Sequence, residues 1–337
     1  MRSYHAELGG GLEGLVLEDH PEPRPGPREA VVKVRAAALN ARELMILRDG
    51  RYPLPVKPHL VPACDGAGEV LALGPDVTGV RVGDRVMASV FPRWQAGPFG
   101  PEVADQLGGS LDGTLTELAV LPAEALVPIP AHLSFAEAAT LPCAAVTAWN
   151  ALTGGRPLLP GETVLTLGSG GVSLFAIQLA RAAGARVIST TSSDEKAERL
   201  RSLGAEAVVN YRTDPGWPAE VRRLTAGRGV DHVVEVGGPG TLPRSAEALA
   251  FAGELAWVGW LAGGPTTVEL APFMRTVGSI RRLAVGSRLQ LQAVARAFEA
   301  HSLRPVIDRT FPFEETRAAL AHYARDGGVG KTVVVMA

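Results

Sequence analysis

The run Thr163-Val164-Leu165-Thr166-Leu167-Gly168-Ser169-Gly170-Gly171-Val172-Ser173 constrains the fold more than any other stretch. An apolar, β-branched segment stops at a glycine, and Val172, Ala176, Leu179 and Ala183 then recur on one helical face. The pattern predicts strand, tight turn and helix. Gly168 suits the turn, Gly170 lets the main chain approach a pyrophosphate, and Ser173 is small where a third glycine often packs helix on strand. Free N–H groups at the helix start would then face the phosphates. Gly168, Ser169, Gly170, Gly171 and Val172 are therefore the candidate dinucleotide-binding residues.

After Pro160-Gly161 the texture stays regular, with strands expected at 163–167, 185–190, 207–210, 230–236 and 254–259 separated by helical segments. Such alternation means βαβ units and a doubly wound parallel sheet covered on both faces, an α/β fold. One more strand is expected at 280–286, helices at 288–300 and 314–325, and a closing strand at 331–336. Residues 1–125 read differently, as short apolar strands cut by Gly and Pro at 30–39, 68–73, 80–88 and 114–121. The Gly-rich segment 91–113 reads as a surface lobe, and Ser134-Phe135-Ala136-Glu137 has capping-box spacing.

A chain of 337 residues is long for one core, so two domains are expected. The net charge of −2 gives no reason to expect nucleic acid or an anionic membrane as partner. No apolar run reaches spanning length, and residues 1–14 lack the basic-then-apolar order of a secretory signal. Cys64 and Cys143 are too few for a disulfide framework, so a cytoplasmic enzyme is expected.

Several segments, in order, resemble one family. They are Pro62-Ala63-Cys64-Asp65-Gly66-Ala67-Gly68-Glu69-Val70, Val82-Gly83-Asp84-Arg85-Val86, Leu141-Pro142-Cys143-Ala144-Ala145-Val146-Thr147-Ala148-Trp149, the glycine turn, and Gly330-Lys331. Together they resemble the medium-chain dehydrogenase/reductase superfamily, in its zinc-independent, quinone-reductase-like branch. The resemblance implies a GroES-like β-rich domain over 1–125, completed by 304–337, and a Rossmann domain over 126–303. It also implies a nicotinamide held in the cleft between them. In such relatives a strand late in the Rossmann domain pairs with its symmetry mate, which makes 280–286 the candidate contact of a homodimer.

NAD-type sites usually carry an Asp or Glu about 20 residues beyond the glycine turn, where it binds the ribose hydroxyls. Here the second strand runs into Thr190-Thr191-Ser192-Ser193, with Lys196 three residues on. Hydroxyls and a cation would hold a 2′-phosphate, and the resemblance assigns that pocket to Ser192, Lys196 and Tyr211. NADP(H) is the expected cofactor. The alternative is that Asp194 and Glu195 are ordinary first-turn acids and Lys196 part of a solvated face.

Zinc members of the superfamily have three ligand positions, which by register fall on Asn40, Cys64-Asp65 and Cys143. An amide is a poor zinc ligand, so no metal is expected, although Asp65 beside two thiols leaves a site open. The segment 91–113 holds no Cys, so it cannot carry a Cys₄ zinc. Without an ion, polar donors must stabilise the developing oxyanion. Asn40 is a candidate donor to a substrate carbonyl or to the nicotinamide amide, and Thr147 matches a family threonine near the nicotinamide. Tyr52 reads either as a proton donor or as an amphipathic cap on its loop. Phe91 and Trp94 read as lining of an apolar pocket, and His232 as structural. The sequence thus leads to an NADPH-dependent, zinc-free reductase of quinones, α,β-unsaturated carbonyls or aldehydes. The alternatives are a zinc alcohol dehydrogenase and a cofactor-binding protein without turnover.

Overall fold

The structure is a computed structural model that describes residues 1–50, 52–263, 267, 269, 271–275, 277–325 and 328–337. Thr163–Leu167 is buried at all five positions, as a strand covered on both faces must be. It lies at the centre of a six-stranded sheet whose order is Ala207–Asn210, Arg186–Thr191, Thr163–Leu167, Val230–Glu235, Leu249–Trp257, Ser279–Arg282. Every neighbouring pair is parallel. Numbered along the chain the order is 3-2-1-4-5-6, the doubly wound arrangement that binds dinucleotides at the carboxyl ends of its strands. Leu165, Ile188, Val209, Val233 and Leu255 supply one sheet core, with Trp217, Val221 and Leu242 from the covering helices.

The β-rich part forms a seven-stranded sheet in which Glu29–Ala38 pairs with Asp65–Leu73, Leu118–Pro122 and Lys331–Val335, all antiparallel. The register Val333↔Ala38 seats the end of the chain against Leu39 and Asn40. A separate strand pair joins Arg2–Ala6 to Leu15–Asp19. Two compact units result, Met1–Val146 with Val285–Ala337, and Thr147–Ala284. The short helix Phe135–Ala138, the turn Leu141–Ala145 and the helix Arg288–Ala300 thus fall in the unit of the β-rich sheet, whereas the sequence reading grouped residues 126–303 with the parallel one.

Several expected strands shift for physical reasons. Of 80–88 only Arg85–Ala88 is strand, because Gly83 turns the chain at φ +88° and Val82 is exposed. Strand 114–121 begins at Leu118, since the Thr114 hydroxyl donates to the carbonyls of Ala63 and Asp65 instead of flanking a ladder. Strand 280–286 is Ser279–Arg282. No helix among the described residues is long and apolar enough to cross a membrane.

Candidate active site

In the parallel-sheet unit, Thr163–Leu167 ends at Gly168, whose φ of +73° is left-handed and favours glycine. The helix Gly171–Ala182 then starts from Gly170, with no side chain capping its first N–H groups. Ser173 Oγ donates to Leu167 O at 2.6 Å, so the small residue ties helix to strand. Gly170 itself has an ordinary φ of −77°, and a Cβ built there would meet no heavy atom within 4 Å. Neither backbone nor packing asks for glycine at that position. The open space there would admit a ligand, and the uncapped helix start beside it offers donors to a pyrophosphate. These residues fit a dinucleotide. Ser169 is buried, while Gly171 and Val172 are half-buried.

At the end of the second strand, Ser193 caps the next helix by accepting from Lys196 N. Asp194 accepts from Asn210 Nδ2 at 3.0 Å, which turns the nearest carboxylate toward the third strand. Among the described residues no carboxylate pairs with the Lys196 ammonium. Tyr211 N donates to Thr191 O at 3.0 Å, so Tyr211 stands beside the tip that carries Ser192, with its side chain well exposed. Sequence reasoning missed Glu235, a fully buried carboxylate at the end of the fourth strand. Its Oε1 accepts from Gly237 N, Gly238 N and Thr241 Oγ1, and its Oε2 from Ser245 Oγ. It fixes the loop at the sheet's carboxyl edge, where ligands of such sheets bind. His232 is buried against Arg156 and Glu162, as a structural residue would be. Thr147 is buried in the first turn of Val146–Thr153, at the start of this unit.

In the β-rich unit, the backbone N–H of Asn40 donates to Glu43 Oε2 at 2.7 Å, opening the helix Ala41–Asp49. Cys64-Asp65 opens the strand beside it, and Cys143 sits in the π-helical turn Leu141–Ala145. Asp65 is fully buried. Its Oδ1 accepts from Cys143 N at 2.7 Å, and its Oδ2 from Asn40 Nδ2 at 2.9 Å and Lys331 Nζ at 3.3 Å. The Lys331 ammonium also donates to Asn40 Oδ1 and to Leu39 O. Burial pushes the Asp65 and Glu43 carboxyls above their ordinary range, and Lys331 opposes that rise at both. The hydrogen bond with Cys143, with burial, pushes the Cys64 thiol well up.

One ligand atom from each of Cys64, Asp65 and Cys143 lies within 4.8 Å of the others. An ion there would have to pull Asp65 away from Asn40 and Lys331 and sit beside a buried ammonium. It would also meet the N–H face of Asn40, which points at Cys64 Sγ from 3.6 Å. These side chains fit a metal poorly. Asn40, expected to donate to a substrate or to the nicotinamide, here donates from its amide to Asp65 Oδ2, with Ala38 O and Cys64 Sγ at 3.4 and 3.6 Å, and so holds the cluster together.

Tyr52 lies with its ring 4.7 Å from the Arg42 guanidinium, which itself donates to Gly108 O. Burial pushes the Tyr52 phenol up although Arg42 draws it down, so the phenol stays protonated at neutral pH. Tyr323, missed from the sequence, is raised by burial and by Glu43, Cys143 and Asp65. Phe91 and Trp94, expected as pocket lining, are packed into the lobe itself. They stack edge-on with each other and with Phe99 and are almost fully buried, because three aromatic faces in one lobe satisfy one another.

Comparison with known proteins agrees with this architecture. Residues 26–131 match the alcohol dehydrogenase GroES-like domain, and residues 171–300 match the zinc-binding dehydrogenase family. A zinc-type alcohol dehydrogenase-like protein of Schizosaccharomyces pombe is 42% identical over 98% of this chain and 97% of its own. A quinone oxidoreductase of Pseudomonas aeruginosa is 33% identical over 97% of each. The crystal structure of an NAD-dependent alcohol dehydrogenase superposes over the full length of both chains, at 36% identity and a TM-score of 0.90. The chain belongs to the medium-chain dehydrogenase/reductase superfamily and is an NAD(P)-dependent, quinone-oxidoreductase-like enzyme.

Proposed function

We propose that the protein is an NADP(H)-dependent reductase that delivers hydride to quinones, α,β-unsaturated carbonyls or aldehydes without zinc. The observation that carries this reading is the Lys331–Asp65–Asn40 network. It supplies an internal cation where zinc-bearing relatives would place an ion, and it engages the carboxylate such an ion would need. Without a Lewis acid nothing lowers a hydroxyl pKa, so simple alcohols are poor substrates. Conjugated or otherwise activated carbonyls need less electrophilic help. The cofactor, when bound, supplies the hydride. Tyr52, with its protonated phenol, is the candidate proton donor, and Thr147 the candidate hydroxyl near the nicotinamide.

NADP(H) is favoured by the hydroxyl-bearing strand tip with Lys196 one turn on, although one superposed relative is an NAD-dependent alcohol dehydrogenase. A homodimer is favoured by the sheet's edge strand Ser279–Arg282, where Ile280 is half exposed and edge pairing would cover it. Assay with NADPH on a panel of quinones, enones, aldehydes and primary alcohols, with and without a chelator, tests the reading. Carbonyl turnover that survives chelation is expected. Turnover lost on chelation, with about one zinc per chain by elemental analysis, would make it a zinc alcohol dehydrogenase. Binding without turnover would make it a cofactor-binding protein.

A further inference from the structure

Three of the seven histidines, His5, His20 and His59, meet outside the cluster around Asp65. The strand pair Arg2–Ala6 and Leu15–Asp19 sets Ser3 opposite Glu18 and carries His5, with His20 one residue past its end. A bridge between Ala6 and Leu60 lays the 57–60 loop alongside, and His59 stacks on His5 with ring centroids 4.1 Å apart. His59 holds a left-handed φ of +49°, a conformation that costs a non-glycine residue energy and is often kept for a purpose.

The hydrogen bonds decide which nitrogens are available. His5 Nδ1 lies 3.3 Å from the His59 carbonyl, which can only accept, so Nδ1 carries the hydrogen and Nε2 presents its lone pair. A ring nitrogen tied to a backbone carbonyl while the other faces out is how metal-binding histidines are oriented. His5 Nε2 is 3.0 Å from His20 Nε2 and 2.9 Å from Ser3 Oγ. Glu18 Oε1 is 2.9 Å from His59 Nε2, and its Oε2 is 3.8 Å from His20 Nε2. One ligand atom each from His5, Glu18 and His59 falls within 4.8 Å of the others. Four ligands around zinc at ~2.0–2.1 Å are separated by about 3.3 Å, a value between the 2.9 Å and 3.8 Å contacts above. His20, outside that group of three, adjoins it through His5 Nε2 and Glu18.

We propose that His5, Glu18, His20 and His59 form a binding site for one divalent ion of the zinc class. Three imidazoles and a carboxylate suit a borderline-soft ion and not calcium or magnesium. Bound there, the ion cross-links the two N-terminal strands to the 57–60 loop, apart from any catalytic step.

Cobalt(II) added to the full-length, chelator-treated protein is the first probe, because its spectrum distinguishes ligand types. One cobalt per chain is expected, with the visible bands of a tetrahedral nitrogen–oxygen site and no thiolate-to-cobalt charge-transfer band, and zinc should displace it. His20→Gln and His59→Gln should each weaken zinc binding at least tenfold in calorimetry. Both side chains are partly exposed, at 30% and 63%, so these variants fold where a change at buried His5 would not be safe. No binding at tenfold excess metal, a thiolate band that places the ion at Cys64 and Cys143, or unchanged affinity in both variants would each overturn the proposal. None of these outcomes depends on whether the enzyme reduces quinones.

Discussion

Asp65 and Gly170 occupy corresponding roles in their two units, each at the point where a strand meets the turn that shapes a site, yet the chain treats them oppositely. Asp65 is fully buried and both its oxygens are engaged from within, by Cys143 N, Asn40 and Lys331. Gly170 has nothing within 4 Å of where a side chain would stand, beside a helix start that no side chain caps. A site whose donors and acceptors are mutually satisfied is finished on folding, whereas a site left open is completed by its ligand. On the proposed zinc-free reading, this contrast is how a chain that matches a zinc-binding family would do without the ion and still require a dinucleotide.

The largest effect should come from removing the internal cation. Lys331→Met leaves Asp65 buried and uncompensated, which should cost ~3–5 kcal/mol in urea unfolding. Adding Asp65→Asn should recover part of the loss, because a neutral amide no longer needs the ammonium. A cost under about 1 kcal/mol would mean that the network does not hold this site together, and the contrast with Gly170 would fail.

Next comes the cofactor's phosphate. Lys196→Ala should raise the Kd for NADPH at least tenfold, consistent with a charge-assisted bond of ~1.5–3 kcal/mol, and barely change that for NADH. Equal or tighter NADH binding by the wild-type protein, measured by fluorescence titration, would remove the NADP(H) preference.

The two glycines of the turn sharpen the comparison further. Gly168→Ala forces a side chain into a left-handed backbone and should lower stability by ~1–2 kcal/mol. Gly170→Ala should leave stability within ~0.5 kcal/mol, since its φ is ordinary and its surroundings are empty. It should nevertheless weaken NADPH binding at least tenfold, because the methyl group takes the space kept for the pyrophosphate. Calorimetric melts and binding titrations on the same samples separate the two effects. A stable Gly170→Ala variant with native affinity would mean that the open space is incidental.

The features that were legible in the sequence are local ones. The strand Thr163–Leu167 and its glycine turn sit within one window, and the helix Arg288–Ala300 has its expected bounds because Ser287 and Gln290 form a capping box. Strands Arg2–Ala6 and Leu15–Asp19 were missed, since Arg-Ser-Tyr-His-Ala and Leu-Val-Leu-Glu-Asp lack clean alternation and are held by their pairing. The β-rich site depends on distance along the chain. Lys331 reaches Asp65 across 266 residues, and no spacing announces that contact. It is one of only four lysines in an arginine-rich chain, and Gly330-Lys331 stood out only as a family marker without a role. Asn40 was recognised as a site residue but was expected to serve the substrate, because the partners that occupy its amide come from two other strands. Glu43, by contrast, could have been found, since Asn40-x-x-Glu43 has the spacing of a helix cap.

Glu43 gives the smallest and most specific test of a self-satisfied site. Its carboxylate accepts from Asn40 N and from Cys64 N, and it is fully buried. Desolvation raises its pKa above 4.5, more than Arg42 and Lys331 lower it. For an acid whose folded pKa lies above its unfolded one, the protonated form is favoured by folding. Its contribution to stability is therefore fully present below about pH 4.5 and is lost as pH rises through the folded pKa. Glu43→Gln keeps an acceptor oxygen and does not titrate. Its destabilisation relative to wild type should be largest near pH 4.5 and shrink toward pH 8, as read from urea midpoints of both proteins across that range. If the cost instead grew with pH, ionised Glu43 would be a net stabiliser held by the cations around it. The cluster would then be an electrostatic site tuned to carry charge, closer in kind to a metal centre than to a closed hydrogen-bond network.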